Sequence, residues 1–398
     1  MAADAWATPF WAAEALERRA AGGLLRTLTT REVTGGAHPS GTWINFAGND
    51  YLDLARDPRV CDAAAEAART WGAGATASRL VTGTLPLHDH LEHELAALTG
   101  APSALIFGSG YLANLGVLSA VCGRETPVFA DRLNHASLLD GVRLAGARWQ
   151  RYHHADPGHL DSLLAKRPGS ETAPPVVVTD GVFSMDGDVA PLAAIAAVAR
   201  RRGALLVVDE AHALGVLGPG GAGACAQAGV VPDIVTGGLG KAAGGYGGFA
   251  VCAAGLRAYL LNHARAFIYT TGLPPASAAA ALTALRTIRE DDGRMGARVL
   301  AVARGLADRL ARHGLTVPDL PASPILPVHI GDNTAARAVA DALEHRGVVT
   351  GAMRPPTVPP GTARLRLSVT LAHDDAALLD RAAAAIAADI GHQGAAAA

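Results

Sequence analysis

Lysine is almost absent from this chain. Of its 34 basic residues only Lys166 and Lys241 are lysines, and all the others are arginines. A lysine amine can lose its proton and attack a carbonyl to form a Schiff base, whereas arginine stays protonated. Abundant alanine and arginine are also typical of codon bias, and a surface lysine in a flexible loop is the alternative. The surroundings of Lys241 must therefore decide its role.

The sequence also has few cysteines and a net charge close to zero. The four cysteines form no CxxC pair, so we expect reduced, mostly buried thiols in a cytosolic protein. The net charge of −2 argues against a nucleic-acid-binding protein. The sequence shows no signal-peptide pattern and no uncharged apolar run of about 18 residues. We therefore expect a cytoplasmic protein with no membrane partner.

Short apolar runs alternate with helical patterns in the middle of the chain. Each run is continuously apolar, which is typical of strands covered on both faces. We therefore predict an α/β fold in which a large domain has a mostly parallel central sheet and a smaller α+β domain follows. The runs lie at 104–107, 127–130, 176–179, 205–208, 234–236 and 248–252.

The same patterns predict how the chain is divided. A helix over 276–310 is expected to lead into the smaller domain, where 325–330 and 363–369 are predicted strands. The predicted segments are an N-terminal arm packing with the small domain (1–45), a large domain (46–285), a small domain (286–390) and a disordered tail (391–398).

Polar residues follow the predicted strands, where an open α/β sheet binds ligands. Asp209 and His212 follow the run at 205–208, and a carboxylate at a buried strand end requires a partner. An ion pair with an arginine is one possibility. A nucleotide motor is excluded because no GxxxxGK[ST] motif precedes Asp209-Glu210-Ala211-His212 and Ala242 follows Lys241.

A glycine-rich strand-to-helix turn supplies a candidate phosphate site. Ser109, Gly110 and Tyr111 follow the run at 104–107, where backbone N–H groups and a helix N-terminus could face a phosphate. The turn is not GxGxxG, so a dinucleotide is not favoured. Together with Asp209 and Lys241 it meets the needs of pyridoxal 5′-phosphate (PLP), whose aldehyde requires an amine and whose pyridinium nitrogen requires a carboxylate.

Two other patterns are less specific. The stretch 88–94 contains three histidines with acidic neighbours, but leucines three and four residues apart favour an amphipathic helix with exposed polar groups over a zinc site. Arg364 and Arg366 alternate on a predicted strand and share one face. They are either surface residues or a bidentate clamp for a substrate carboxylate.

At this point the sequence resembles the α-oxoamine synthases, PLP enzymes of fold type I, over nearly its whole length. Eight ordered stretches carry the resemblance, at 49–52, 77–83, 108–111, 134–137, 181–188, 209–212, 239–241 and 354–359. The resemblance implies PLP as cofactor, a homodimer with active sites at the subunit interface, and no metal.

The resemblance also implies a role for individual residues. Lys241 would form the Schiff base with PLP and Asp209 would pair with the pyridinium nitrogen. The remaining expected cofactor contacts are His135 on the ring, His212 and Ser184 on the side of its phenolic oxygen, Ser109, Gly110 and Tyr111 at the phosphate, and Thr270 and Thr271 reaching the phosphate of the partner subunit. Asn49 and Arg366 would bind the substrate carboxylate.

Two positions depart from the family pattern. Gly238 stands where the family usually has a Thr or Ser that binds the phosphate, three residues before the lysine. Asp53 stands where the family usually has glycine.

The reaction implied is the decarboxylative condensation of L-alanine with a pimeloyl thioester, carried by coenzyme A or by an acyl carrier protein. A sister synthase that uses glycine or serine with another acyl-CoA is the alternative. A catalytically silent PLP-binding protein is a more remote one.

Overall fold

The computed structural model describes residues 8–31, 43–166, 173–318 and 322–396, with side chains described as far as residue 391. The helices are α1 (Phe10–Ala21), α2 (Pro58–Trp71), α3 (Pro86–Thr99), α4 (Gly110–Val121), α5 (Ala136–Leu144), α6 (Pro157–Ala165), α7 (Leu192–Arg201), α8 (Ala224–Gln227), α9 (Ala254–His263), α10 (Arg265–Ile268), α11 (Pro275–Asp291), α12 (Arg294–Arg312), α13 (Asn333–His345) and α14 (Ala376–Ala396). The strands are β1 (Ile44–Asn45), β2 (Ser103–Phe107), β3 (Pro127–Asp131), β4 (Arg148–Tyr152), β5 (Val176–Asp180), β6 (Leu205–Asp209), β7 (Ile234–Gly238), β8 (Gly248–Cys252), β9 (Ile325–Gly331), β10 (Val348–Val349), β11 (Gly351–Met353) and β12 (Ala363–Ser368).

A seven-stranded sheet forms the centre of the molecule, in the order β2-β8-β7-β6-β5-β3-β4. Strand β8 is antiparallel to both of its neighbours, and the other pairs are parallel. Val207 of β6 packs into one hydrophobic cluster and Val208 into the other, so both faces of the sheet are covered. This arrangement explains the continuously apolar runs and confirms the predicted α/β fold.

The C-terminal region has its own antiparallel sheet, in the order β11-β12-β9. Gly351 of β11 lies opposite Arg366 of β12. Strand β1 pairs in parallel with β10, with Ile44 opposite Val348, and so joins the end of the N-terminal segment to this region. In the described part of the chain, no helix is both long and apolar enough to cross a membrane.

The structure differs from the sequence-based expectations in three places. Strand β4 was missed because its sequence, RWQRY, is polar, as suits an edge strand. The expected single helix over 276–310 is two helices, because Asp292 and Gly293 both have left-handed backbone conformations. The predicted domain boundary after residue 285 therefore falls inside α11.

The third difference concerns the expected tail at 391–398. Helix α14 continues to Ala396, in keeping with the high helix propensity of its alanines. Within the expected tail, only residues 397 and 398 lie outside the described residues.

Candidate active site

The carboxyl end of strand β6 holds a buried carboxylate. Asp209 is 5% exposed. Its Oδ2 accepts from Asn114 Nδ2 at 2.6 Å and its Oδ1 accepts from the Ala211 N–H at 2.8 Å. Among the described residues no arginine forms an ion pair with it, so the arginine alternative is wrong here. A cation placed against Asp209 would offset the cost of burying its charge.

Lys241 lies on the same side of the sheet. Its Nζ is 2.8 Å from His212 Nε2, and His212 Nδ1 is 2.7 Å from the Tyr51 hydroxyl. Burial lowers the pKa of Lys241 to about 8, although the charge of Asp209 opposes the change. Burial and the charge of Lys241 also lower the pKa of His212 well below its usual value. The lysine amine is therefore more easily deprotonated than a surface lysine, which is the property a nucleophile needs.

Arg366 lies in the same cluster and is almost fully buried. Its Nη1 donates to Asn49 Oδ1 at 3.0 Å and to Ser368 Oγ at 2.8 Å, and its Nε donates to the Ser184 carbonyl. Its Nη2 is 3.4 Å from the Tyr51 hydroxyl. The structure thus brings Asn49 and Arg366 together, and Tyr51 links Arg366 to His212, which contacts Lys241.

Arg364 is buried as well, so the surface interpretation is wrong for both arginines. Unlike Arg366, it forms an ion pair with Asp186 and its Nε donates to the Thr362 carbonyl. Arg364 therefore has a structural partner, and only Arg366 belongs to the cluster around Lys241.

The turn after β2 is lined by glycines. Ser109 caps α4 by accepting from the Leu112 N–H at 3.2 Å. A Cβ on Gly110 would lie 3.2 Å from the Gly238 Cα, and a Cβ on Gly248 would lie 2.2 Å from the Ser109 carbonyl oxygen. The glycines therefore let these backbone segments approach one another closely at the N-terminus of α4. Such a helix N-terminus attracts an anion.

The turn after β2 also carries Tyr111, whose hydroxyl donates to Asp140 Oδ2 at 2.8 Å at the surface. Its side chain is thus engaged outside the site, and only its backbone remains available to a phosphate.

His135 caps α5 beside the same strand ends. Its backbone N–H donates to Asp180 Oδ2 at 2.8 Å, and its Nδ1 is 2.6 Å from Ser137 Oγ. Burial lowers the pKa of His135, so the neutral imidazole is favoured. Asp180 lies directly opposite Asp209 in the sheet register. Burial and the charge of Asp209 raise the pKa of Asp180 well above its usual value.

Three predicted residues lie less close to this cluster or contact it differently. Ser184 contributes its backbone carbonyl to Arg366, and no hydrogen bond of its hydroxyl is seen in the described part of the chain. Thr270 and Thr271 follow α10 near the surface, where Thr271 bridges to Ser78. No hydrogen bond joins either threonine hydroxyl to the residues around Lys241 within the described ranges. Their expected reach into a partner subunit stays a prediction.

The histidine-rich stretch forms α3, as predicted, but several of its polar groups are buried rather than exposed. His88 Nε2 pairs with the Leu273 carbonyl at 2.7 Å. Glu92 forms ion pairs with Arg79 at 3.0 Å and Arg257 at 2.7 Å. These polar groups have structural partners, so they serve the packing of α3.

Comparison with known proteins places this geometry in a family. A family model described as aminotransferase class I and II matches residues 41–386. The chain belongs to this family. It is 48% identical to 8-amino-7-oxononanoate synthase from Chromohalobacter salexigens, over 94% of this chain and 95% of that protein. It is 50% identical to the synthase of the same name from Halorhodospira halophila, over 83% of this chain and 82% of that protein.

Solved structures of aminotransferase-family proteins agree with the fold. A serine palmitoyltransferase from S. paucimobilis has a TM-score of 0.89 and 30% identity, covering 96% of this chain and 97% of that chain. An 8-amino-7-oxononanoate synthase from Francisella tularensis has a TM-score of 0.74 and 28% identity, covering 89% and 99%. The predicted resemblance to α-oxoamine synthases, the PLP fold type I and the PLP cofactor are confirmed.

The residues of this aminotransferase-family site fit PLP. A buried carboxylate that has no ion-pair partner among the described residues suits a pyridinium N–H. A glycine-lined helix N-terminus suits a phosphate, and an amine with a lowered pKa suits an aldehyde. The two departures also have a structural context. A Cβ on Gly238 would meet nothing closer than 4.0 Å, so the missing hydroxyl leaves free space. Asp53 has a φ of 54°, the left-handed region that favours glycine.

Sequence reasoning missed two residues of the site. Asn114 connects Asp209 to Ser137, and Tyr51 connects His212 to Arg366. Tyr51 lies within the stretch 49–52, and Asn114 lies just after the stretch 108–111. Both stretches carried the family resemblance, and that resemblance was the available signal. Their side-chain partners come from distant parts of the chain, and no spacing rule reveals such contacts.

Proposed function

We propose that this protein catalyses the decarboxylative condensation of L-alanine with a pimeloyl thioester, giving 8-amino-7-oxononanoate, CO₂ and a free thiol, a step of biotin biosynthesis. The observation that carries the proposal is the cluster of Lys241, Asp209 and Arg366 at the strand ends. Relatives that are 45–50% identical and are named 8-amino-7-oxononanoate synthase support it.

PLP, when bound, supplies an electron sink for the pair of electrons released at the amino-acid Cα. Lys241 would hold its aldehyde carbon, Asp209 its ring nitrogen and the N-terminus of α4 its phosphate. His135, His212 and Ser184 are proposed as further cofactor contacts. The amine of Lys241, once free, would accept the Cα proton of alanine at Nζ, because its lowered pKa brings it close to the working pH.

Arg366 is proposed to bind the amino-acid carboxylate. The guanidinium is already held by Asn49 and Ser184, so little side-chain freedom would be lost on binding. A fixed position for this carboxylate also orients the Cα–H bond toward Lys241.

A basic cavity supports a dicarboxylic acyl donor. It lies beside the end of β11 and is lined by Leu24, Arg26, Ala352, Met353, Arg354, Pro355 and Thr357. Burial, then the charges of Arg337 and Arg26, lower the pKa of Arg354, so an anion is electrostatically favoured there. Gly351 lies opposite Arg366, and Arg354 follows Gly351 by three residues, which corresponds to roughly 10 Å of extended chain. An extended pimeloyl chain can span such a distance with its distal carboxylate in the cavity.

We also propose a cytoplasmic homodimer in which Thr270 and Thr271 approach the partner's phosphate site. Light scattering of the holoenzyme tests the assembly, and a monomer that is fully active would overturn it. A panel of substrates tests the reaction itself, and it also decides whether coenzyme A or an acyl carrier protein delivers the acyl group.

The panel combines L-alanine, glycine and L-serine with pimeloyl, acetyl and palmitoyl thioesters on both carriers, and measures thiol release. We expect turnover only with L-alanine and a pimeloyl thioester. Lys241→Ala is the control and should be inactive while remaining folded by circular dichroism. Preference for glycine with acetyl-CoA, or for serine with palmitoyl-CoA, would replace this proposal by the sister-synthase alternative. If the enzyme also fails to exchange the α-proton of any of these amino acids, a silent PLP-binding protein is favoured instead.

A further inference from the structure

His154 bridges two carboxylates outside the site described above. It follows β4, and its Nδ1 is 3.0 Å from Asp131 Oδ1 while its Nε2 is 2.9 Å from Asp188 Oδ2. The ring packs edge-on against Phe183, with 4.4 Å between ring centroids. Asp131 ends β3 and is fully buried, and its two oxygens also accept the N–H groups of Leu133 and Ala155.

A doubly protonated imidazole suits this position because both ring nitrogens face carboxylate oxygens. The hydrogen bonds to Asp131 and Asp188 raise the pKa of His154 to about 10. The ring is therefore a fixed cation at neutral pH. Because the ring stays protonated near neutral pH, it does not exchange a proton with a substrate there. Its role must therefore lie in the groups that it holds in place.

Through Asp188, His154 holds one side of the loop 182–189. The loop is closed at its base by the bridge between Val182 and Val189. Within it, the Phe183 N–H donates to the Asp188 carbonyl at 2.9 Å and the Gly187 N–H donates to the Phe183 carbonyl at 2.8 Å. These bonds make the loop a compact unit that is expected to move as a whole.

The other side of loop 182–189 is attached to the C-terminal sheet. The Ser184 carbonyl accepts from Arg366 Nε, and Asp186 forms the ion pair with Arg364. The Gly187 carbonyl accepts from Ser323 Oγ at 2.7 Å. A Cβ on Gly187 would lie 2.4 Å from the Ile325 carbonyl oxygen, so the loop lies directly against β9. The loop thus connects the edge of the central sheet to the strand that carries Arg366.

We propose that His154 is a positioning residue that, through loop 182–189, fixes the guanidinium of Arg366 for the α-carboxylate of the amino-acid substrate. The inference rests on the carboxylate-binding role of Arg366 given under the proposed function. Without the cation, Asp131 and Asp188 would repel each other across the vacated position. The loop would then move away from β3, and Ser184 would no longer hold Arg366 in place.

The test uses the PLP-loaded enzyme with His154→Gln, which keeps polarity but removes the charge. The matched control is His153→Gln, because His153 is the adjacent histidine, is exposed and stacks on His159. The dissociation constant of L-alanine is measured by the change in cofactor absorbance, together with KM and kcat. For His154→Gln we expect alanine affinity to fall at least 10-fold, with KM for alanine rising in parallel. We expect kcat and the PLP dissociation constant to stay within about threefold, and His153→Gln to match the wild type.

His154→Arg provides the conservative rescue, because a guanidinium can donate to both carboxylates. It should recover most of the alanine affinity. If His154→Gln does not fold, Asp188→Asn is measured instead, since it weakens the same attachment and should give the same KM effect. Unchanged alanine affinity in a folded variant, or a fall in kcat alone, would overturn the inference.

Amino-acid binding is measured without an acyl donor, so the two proposals can fail separately. If the wild-type enzyme binds glycine or serine instead of alanine, the proposed reaction fails. The effect of His154 is then measured with that amino acid.

Discussion

Replacing Gly238 with serine tests whether the phosphate site lacks one ligand. Gly238 ends β7, lies opposite Gly248 and is adjacent to Gly110 at the start of α4. A Cβ there would have Gly110 Cα and the Gly247 carbonyl oxygen as its nearest neighbours, both at 4.0 Å. The substitution Gly238→Ser therefore adds a hydroxyl at the N-terminus of α4 without displacing any neighbour.

The size of the effect follows from the charge of the phosphate. A hydrogen bond to a charged group contributes about 1.5–3 kcal/mol, which corresponds to a PLP dissociation constant roughly 10- to 100-fold lower. Replacing glycine should also stabilise the apoprotein by about 0.5–1 kcal/mol, because the unfolded chain loses freedom. The two effects are separable, because only the first requires the hydroxyl.

The assay is titration of the apoenzyme with PLP, followed by absorbance, for Gly238→Ser and Gly238→Ala. The alanine variant adds the Cβ and reduces chain freedom but provides no hydroxyl. We expect it to bind PLP as the wild type does and the serine variant to bind more tightly. Equal affinity of the two variants would show that the position does not face the phosphate, and the assignment of the α4 turn would be wrong.

Three further predictions follow from the same contacts. Because the pKa of His154 is raised from 6.5 to about 10, its contribution to the free energy of unfolding is full below about pH 6.5 and is lost as pH rises toward 10. Denaturant titrations should show this loss of stability with rising pH in the wild type and not in His154→Gln. Arg354→Gln should raise KM for a pimeloyl thioester about 10-fold and leave KM for alanine unchanged, and an equal effect on a monocarboxylic acyl thioester would contradict the dicarboxylate cavity. Asp180→Asn should keep PLP affinity within a few-fold because the raised pKa of Asp180 favours its neutral form, whereas Asp209→Asn should weaken it by roughly 100-fold. Similar losses in both variants would refute this division of charge.

Much of the central sheet could be predicted because burial on both faces leaves a direct record in the sequence. Strands β5 and β6 are almost wholly apolar and are recognisable from composition alone. Strand β4 has one neighbour and partly exposed side chains, so its sequence carries no such record. The break at Asp292 is equally hidden, because an aspartate in the left-handed region ends a helix only through its backbone conformation.

The site was predictable to the extent that strand ends in a parallel sheet converge. Residues that follow different strands, such as Asp209 and Ser109, are expected at one edge of the sheet from the order of strands and turns alone. The contacts of Asn114 and Tyr51 cannot be predicted in this way, since each depends on which side chains meet across elements far apart in the chain. Resemblance to a family supplied the roles that neither pattern nor spacing supplies.

Asp180 and Asp209 illustrate why residue type alone does not assign a role. Both aspartates end neighbouring parallel strands, and they lie opposite each other in register. Asp209 accepts hydrogen bonds from Asn114 and Ala211, one on each oxygen. Asp180 accepts from the His135 N–H, and burial together with the charge of Asp209 raises its pKa. Asp209 therefore has a hydrogen-bond donor on each oxygen, whereas the neutral form of Asp180 is favoured, so Asp209 is the carboxylate that suits a cofactor cation.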